Sequence, residues 1–306
     1  MTQNNSQVPW TDEQWARVNQ VIQEEANRAR VAATFLPLYG PLPPDTDFVS
    51  KDVISYGAEE HGPSPRMTID DTNTIKLPTL QVKVYVRGAQ MADPEMTSVL
   101  AMFRRAANVL ARLEDAIVFN GQTEAYKGPG GDAIKGLQEI WEVLGGQESR
   151  GLLAPPDESS TVVVRAKEED LGEKLVAKVS ESIGLLENAG HFAPFAVVLD
   201  QKLFTGAQTP NDKSLVLPQD RIIPFLGGGS LLRSSTLPRG CGVVVALGGA
   251  PVELVVATDV SLNFLQVTTD PMFVFRVYEK MVLRIKEKEA ITALRWDESS
   301  SNSKKL

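Results

Sequence analysis

The residues predict an α+β chain. Two long helical stripes, Val99 to Ile117 and Leu171 to Leu186, occupy its middle. Four apolar strand candidates crowd the C-terminal third: Gly242 to Leu247, Val252 to Ala257, Phe273 to Tyr278 and Met281 to Lys286. Helices and strands segregate instead of alternating, which argues against a parallel βαβ sheet. With 306 residues, 42% hydrophobic and 23% charged, the chain can build about two packed units.

The first element is a helix. Thr11 is placed to cap it and Gln14 to close a capping box. Trp15, Val18, Ile22, Ala26 and Ala29 recur at helical spacing, with Glu13, Arg17, Gln20, Glu24 and Asn27 on the other face. Such a terminal amphipathic helix must dock on its own domain, a neighbour or a guest. Residues 35–47 hold Pro37, Pro41, Pro43 and Pro44 and read as a stiff connector. Lys51 to Gln81 reads as two short strands, around Val53-Ile54 and Thr68-Ile69, about a turn with Gly57, Gly62, Pro63 and Pro65. It is poor in large apolar groups, so it reads either as a segment that a partner chain orders or as a flexible surface loop. Leu80, Val82, Val84 and Val86 alternate with polar neighbours as a half-buried strand does.

Asp93-Pro94 predicts the start of the clearest helix and Asn120-Gly121 its end. About 26 residues at about 1.5 Å each make roughly 40 Å, enough to cross a domain. Gln122 to Gly136 reads as a loop. A second helix is predicted over Glu168 to Asn188, stopped by Gly190. Ala196 to Leu199 reads as a short strand, Thr205 to Asp212 as a loop tip and Gly227-Gly228-Gly229 as a turn. The tail from Asp297 to Leu306 is expected to be disordered.

The net charge of -8 and pI near 5.0 argue against a chain that holds nucleic acid. Cys241 is the one cysteine, so no internal disulfide can form, as suits a reducing cytoplasm. Cys241 itself is expected to be a small buried residue. Met1 to Gln7 is polar and uncharged, so no secretion signal is expected. No apolar run approaches the roughly 18 residues of a membrane span.

Chemistry is hard to find. There is no Gly-x-Ser-x-Gly elbow, and the triple glycine leads into Ser230-Leu231-Leu232-Arg233 without a phosphate-binding lysine. His61, His191 and Cys241 are too few and too scattered for a zinc site. Glu114-Asp115 could offer carboxylates, but helical neighbours diverge by about 100°. The pair is read as a solvent-facing or interface acidic pair, and His191 as fixing a turn. No catalytic, metal or cofactor site is predicted, and no enzyme.

Several stretches together resemble the encapsulin family. Leu113 to Gly121 (LEDAIVFNG) is similar to the end of that family's spine helix. Gly190 to Leu199 (GHFAPFAVVL) resembles its Gly-x-x-Gly-Pro-Tyr segment. Gly248-Gly249 with Leu254 to Ser261 resembles its strand and Asp-Leu-Ser segment. Met281 to Leu294 resembles its closing strand, and Trp15 and Gly40-Pro41 its first helix and the following Gly-Pro. Order and spacing hold from about residue 9 to residue 296.

The resemblance implies a tailed-phage major capsid (Hong Kong 97-like) fold. On that template residues 1–50 form a lumen-facing helix and connector, and 51–81 the extended loop. Residues 82–190 form the peripheral domain with the spine helix, and 191–241 the axial domain with its pore loop. Residues 242–296 return strands to both, and 297–306 are the tail. The implied function is self-assembly into an icosahedral nanocompartment in the cytoplasm. Its implied cargo is ferritin-like or peroxidase enzymes, with iron storage as one use. The implied partners are copies of the chain and a cargo protein bearing a short C-terminal targeting peptide, with neither nucleic acid nor membrane. Trp15, Val18, Ile22, Ala33 and Pro37 are the implied cargo groove, and Gly206, Gln208, Asn211, Asp212 and Lys213 the implied pore loop. The family's usual Gly-Arg and Asp before Gly-Pro are replaced by Ala32-Ala33 and Pro37. Its flavin-stacking tryptophan has no match between Val84 and Met91, so no flavin is expected. The alternative is a phage or prophage capsid protein enclosing DNA; the amphipathic N-terminal helix favours the encapsulin.

Overall fold

The computed structural model describes residues 7–58, 65–122, 140–154, 160–210 and 216–298. Among them, two five-stranded sheets share one hydrophobic core, and two two-stranded pairs belong to neither. Helix α1 (Asp12–Ala29) begins with the expected capping box, Gln14 N donating to Thr11 Oγ1 and Thr11 N to Gln14 Oε1. Helix α2 (Ala32–Phe35) and strand β1 (Leu38–Tyr39) follow. Strand β2 (Phe48–Ser50) pairs with β5 (Thr74–Lys76), and between them β3 (Val53–Ala58) and β4 (Pro65–Asp70) form the antiparallel ribbon. The predicted turn residues Gly62 and Pro63 lie outside the described residues, as does His61.

Strand β6 (Pro78–Arg87) buries Leu80, Val82, Val84 and Val86 as its alternation predicts. Gln81 is buried too, because its amide donates to Glu142 on strand β7 (Trp141–Gly145) at 2.7 Å. After the short helix α3 (Gly88–Met91) comes the spine, α4 (Thr97–Asn120). It starts later than Asp93-Pro94 predicts. The Asp93 carboxylate accepts from Glu95 N and Thr97 N, so it closes a turn ahead of the helix. Gly121, with φ +87°, ends the spine.

The second layer holds β8 (Thr161–Ala166), α5 (Leu171–Asn188), β9 (Phe195–Leu199), α6 (Gln201–Gln208), α7 (Pro218–Ile222), β10 (Leu231–Arg233) and β11 (Cys241–Ala246). The long strands β12 (Val252–Val267) and β13 (Met272–Ile285) return to the first layer, and β14 (Ile291–Glu298) to the second. The sheet orders are β1-β12-β13-β6-β7 and β10-β9-β11-β14-β8.

Five expectations need correction. Phe273 to Tyr278 and Met281 to Lys286 are one strand, because Glu279 and Lys280 stay in register with Leu80 and Thr79 of β6. The loop tip expected over Thr205 to Asp212 is helical up to Gln208, the end of α6. Asp200 caps this helix by accepting from Lys202 N and Leu203 N, and Gly206 lets it close on α5, where a Cβ would come within 2.9 Å of Leu171 Cγ. Strand β8 and helix α5, expected in one unit with the spine, pack with the second sheet. Cys241 is half-buried, since it opens β11 opposite Arg295. Asp297 and Glu298 are in β14, paired with Arg165 and Ala166; residues 299–306 lie outside the described residues.

The glycine turn gives a direct test of packing. A Cβ at Gly229 would lie 1.9 Å from the Phe195 carbonyl oxygen. Gly229→Ala should therefore lower stability by about 3 kcal/mol, at the upper end of ordinary overpacking. Gly184, inside α5 with nothing near its Cβ position, should instead gain about 0.5–1 kcal/mol as alanine. Urea unfolding midpoints check both.

Candidate functional site

The candidate site is a cleft where the N-terminal segment crosses the edge of the first sheet. Helix α1 is fixed first. Trp15, Val18 and Ile22 are buried against the spine and sheet, and Trp10 stacks on Phe275 at 4.9 Å while meeting Trp15 edge-on at 5.0 Å. Glu25 accepts from Asn108 of α4 at 2.9 Å. Trp15, Val18 and Ile22 therefore belong to the chain's own core, a correction to their reading as groove residues. The helical stripe docks on its own domain.

Arg30 leaves α1 in an extended conformation. The next two backbone N–H groups, of Val31 and Ala32, donate to the Asp115 carboxylate at 3.0 and 2.7 Å. Asp115 thus caps α2 from across the core. Phe35 then stacks on Phe119, and β1 runs parallel to β12 in the register Leu38 to Leu254. Gly40, with φ +131°, is forced by closeness: a Cβ would sit 2.2 Å from the Val256 carbonyl oxygen. Pro37 is half-buried and its carbonyl accepts from Leu254 N at 2.8 Å.

The resulting cleft has a volume of about 180 Å³. Ala33, Leu38, Tyr39 and Pro41 form one wall, and Leu254, Val256 and Met281 line the sheet side. Leu38 and Tyr39 are 61% and 46% exposed, unusual for large apolar groups. Arg284 lies under the Tyr39 ring at 4.5 Å and donates to Asp52 Oδ2 at 2.7 Å and to Glu253.

The polar end of the cleft is made by Arg30, Glu114, Asp259 and Glu279. Strand β12 loses register on both sides of Thr258, and this bulge turns Asp259 toward Arg30, which donates to it at 3.0 Å. Glu114 and Asp115 are both fully buried, against the expectation of a solvent-facing or interface pair. They diverge as helix geometry requires, but the spine is covered on both sides. Apart from the Glu279 carboxyl, Glu114 meets no hydrogen-bond donor, and Arg30 stands 3.9 Å away. Burial, with Asp115 beside it, pushes the Glu114 pKa up to about 8. Burial and Glu114 raise Glu279 well above the carboxylate range. Burial lifts Asp115 to about 7 against the pull of the Ala32 and Val31 N–H groups. Burial opposes the charge of Arg30, but Glu114 and Asp259 outweigh it and raise its pKa.

Of the implied groove residues, only Ala33 lines this cleft, with Pro37 just outside it. Sequence reasoning misses Arg30, Asp259 and Glu279; a charged pair inside the otherwise apolar run Leu113 to Phe119 is the one available signal. Gly206 and Gln208 of the implied pore loop lie in α6, while Asn211, Asp212 and Lys213 lie outside the described residues. His191 is buried and its N–H closes the end of α5 on Leu186 O at 2.9 Å. Among the described residues no group of His, Cys, Asp and Glu has metal-binding geometry, and no helix is long and apolar enough to cross a membrane.

Comparison with known proteins places these features. The family model described as an encapsulating protein for peroxidase (Linocin_M18) matches residues 1–139 and 140–282. The type 1 encapsulin shell protein EncA of Myxococcus xanthus (strain DK1622) is 27% identical over 301 residues, covering 95% of each chain. The solved virus-like particle from Pyrococcus furiosus superposes with a TM-score of 0.62 at 17% identity, covering 92% of this chain and 100% of that one. The capsid of Myoviridae phage XM1 gives 0.55 at 13% identity, covering 83% and 87%. The last two likenesses show the fold alone, and it is the capsid fold.

Proposed function

The chain belongs to the family of encapsulating proteins for peroxidase, the encapsulins, and is a shell protein; from that premise we propose that its copies close into an icosahedral compartment in the cytoplasm, around guest enzymes of the ferritin-like or peroxidase class. The chain is then structural, and guests supply the chemistry. The observation that carries self-assembly is the ribbon. Met67 and Ile69, 70% and 62% exposed, stand on one face of β4, a strand that among the described residues pairs only with β3. A two-stranded ribbon is marginal alone, so its apolar face calls for a neighbour.

The cleft beside α2 is the proposed seat for a short C-terminal targeting peptide on the guest. Its exposed Leu38 and Tyr39, its Gly40 turn and its open apolar walls suit an extended segment. Weak peptide contacts then act together inside a closed volume. A phage capsid protein would share the fold, but the family match favours the encapsulin reading.

Electron microscopy and native mass spectrometry of the purified full chain test this reading. Closed, uniform particles that contain a co-purifying enzyme are expected. Monomers or dimers at high concentration would end it, and packaged DNA would revive the capsid alternative.

A further inference from the structure

We propose that the acidic end of the cleft is the seat of a basic side chain, lysine or arginine, carried by the guest's peptide. This rests on the cleft being the guest-peptide site. The cleft sets three carboxylates, Glu114, Asp259 and Glu279, against one guanidinium, Arg30. Arg30 serves Asp259 at 3.0 Å and stands off from Glu114 at 3.9 Å. Both oxygens of Glu114 and Oε1 of Glu279 are buried with no donor except the proton that the two carboxyls share. Glu114 is 1% exposed and Glu279 2%, yet both line the cleft.

Buried carboxylates without donors are costly, and a protein of this density leaves few of them. A lysine or arginine supplies what is missing: several N–H donors and a positive charge on an apolar stem. The stem suits the walls, Ala33, Leu38 and Met281, and the charged tip suits the floor. A neutral peptide of the same shape would leave the floor unsatisfied.

Before the guest arrives, a proton offsets the excess negative charge. Glu114 feels the charge of Asp115, its neighbour on the spine, and those of Arg30 after α1, Asp259 on β12 and Glu279 on β13. Burial and these carboxylates keep the Glu114–Glu279 pair partly protonated at neutral pH. An arriving cation favours the ionised pair, so the proton passes to solvent. Capture is then coupled to net proton release at neutral pH.

The experiment uses full-length shells co-expressed with a monomeric fluorescent protein that bears a random peptide library at its C-terminus. Peptides retained inside purified shells are sequenced. Lysine plus arginine should be enriched about tenfold at one position, and the enrichment should vanish in Glu114→Gln/Glu279→Gln shells while apolar enrichment persists. Should that variant not assemble, Asp259→Asn, at a half-exposed side chain, should cut the enrichment about threefold. The top basic peptide, synthesised and titrated calorimetrically in two buffers of different ionisation enthalpy, should release the proton from native shells and none from the glutamine variant. Retained peptides with apolar preference but no basic preference, or binding without proton release, would overturn the inference and leave the cleft reading standing. Failure to retain any peptide, or retention undiminished by Ala33→Trp, which fills the cleft from its wall, would remove the cleft reading itself.

Discussion

Replacing Met67 and Ile69 together by aspartate should leave a folded subunit that no longer assembles. Both side chains stand out on one face of the ribbon, and neither contributes to the core of its own chain. Their burial against a neighbour is worth about 1.5–3 kcal/mol each. Losing both weakens each ribbon contact by about 10²- to 10⁴-fold. A closed shell repeats that loss at every copy, so the defect is close to all-or-none. Light scattering should show subunits in place of particles, with an unchanged circular dichroism spectrum. Intact shells from this variant would mean that the ribbon is not the joint.

The second large effect is alkaline softening of the subunit. Glu114 and Asp115 have folded pKa values near 8 and 7, well above their unfolded values of 4.5 and 3.8, and Glu279 is raised in the same sense. Between the unfolded and folded values the folded chain holds protons that the unfolded chain has released. Stability is therefore full below the unfolded pKa and falls as pH rises through the folded one. Each tenfold difference in proton affinity between the folded and unfolded chain is worth about 1.4 kcal/mol, so the loss is a few kcal/mol. Thermal unfolding of the assembly-deficient ribbon variant isolates the subunit. Its midpoint should drop by several degrees between about pH 6 and about pH 9. Glu114→Gln, which keeps the shape and removes the ionisation, should flatten that slope. An unchanged slope in the glutamine variant would place the titrating group elsewhere.

Much of this architecture is legible locally. The capping box at Thr11 and Gln14, the alternation through Val82 and Val84 and the glycine stop after Asn120 are short-range signals, and each forms as such. The site is harder because its parts converge from distant places. Arg30, Glu114, Asp259 and Glu279 come from four elements, and no spacing rule links them. Helical periodicity separates Glu114 from Asp115 correctly, yet cannot say that α1 and the sheet cover both directions. Gly206 and Thr205 look like loop residues because local propensity knows nothing of Leu171, against which Gly206 closes. Glu279-Lys280 looks like a break between strands, but β6 carries the ladder straight through it. The family resemblance supplies the fold where periodicity cannot, while placing in the groove three residues that belong to the core.

The root of the ribbon has one more consequence. It is held by a backbone bond from Ile54 N to Lys286 O at 3.1 Å and by Asp52 against Arg284. Among the described residues the ribbon pairs with neither five-stranded sheet beyond those ties. A pull exerted on the ribbon by a neighbouring copy would therefore enter the first sheet at the end of β13, through Arg284 and the Lys286 carbonyl that follows it.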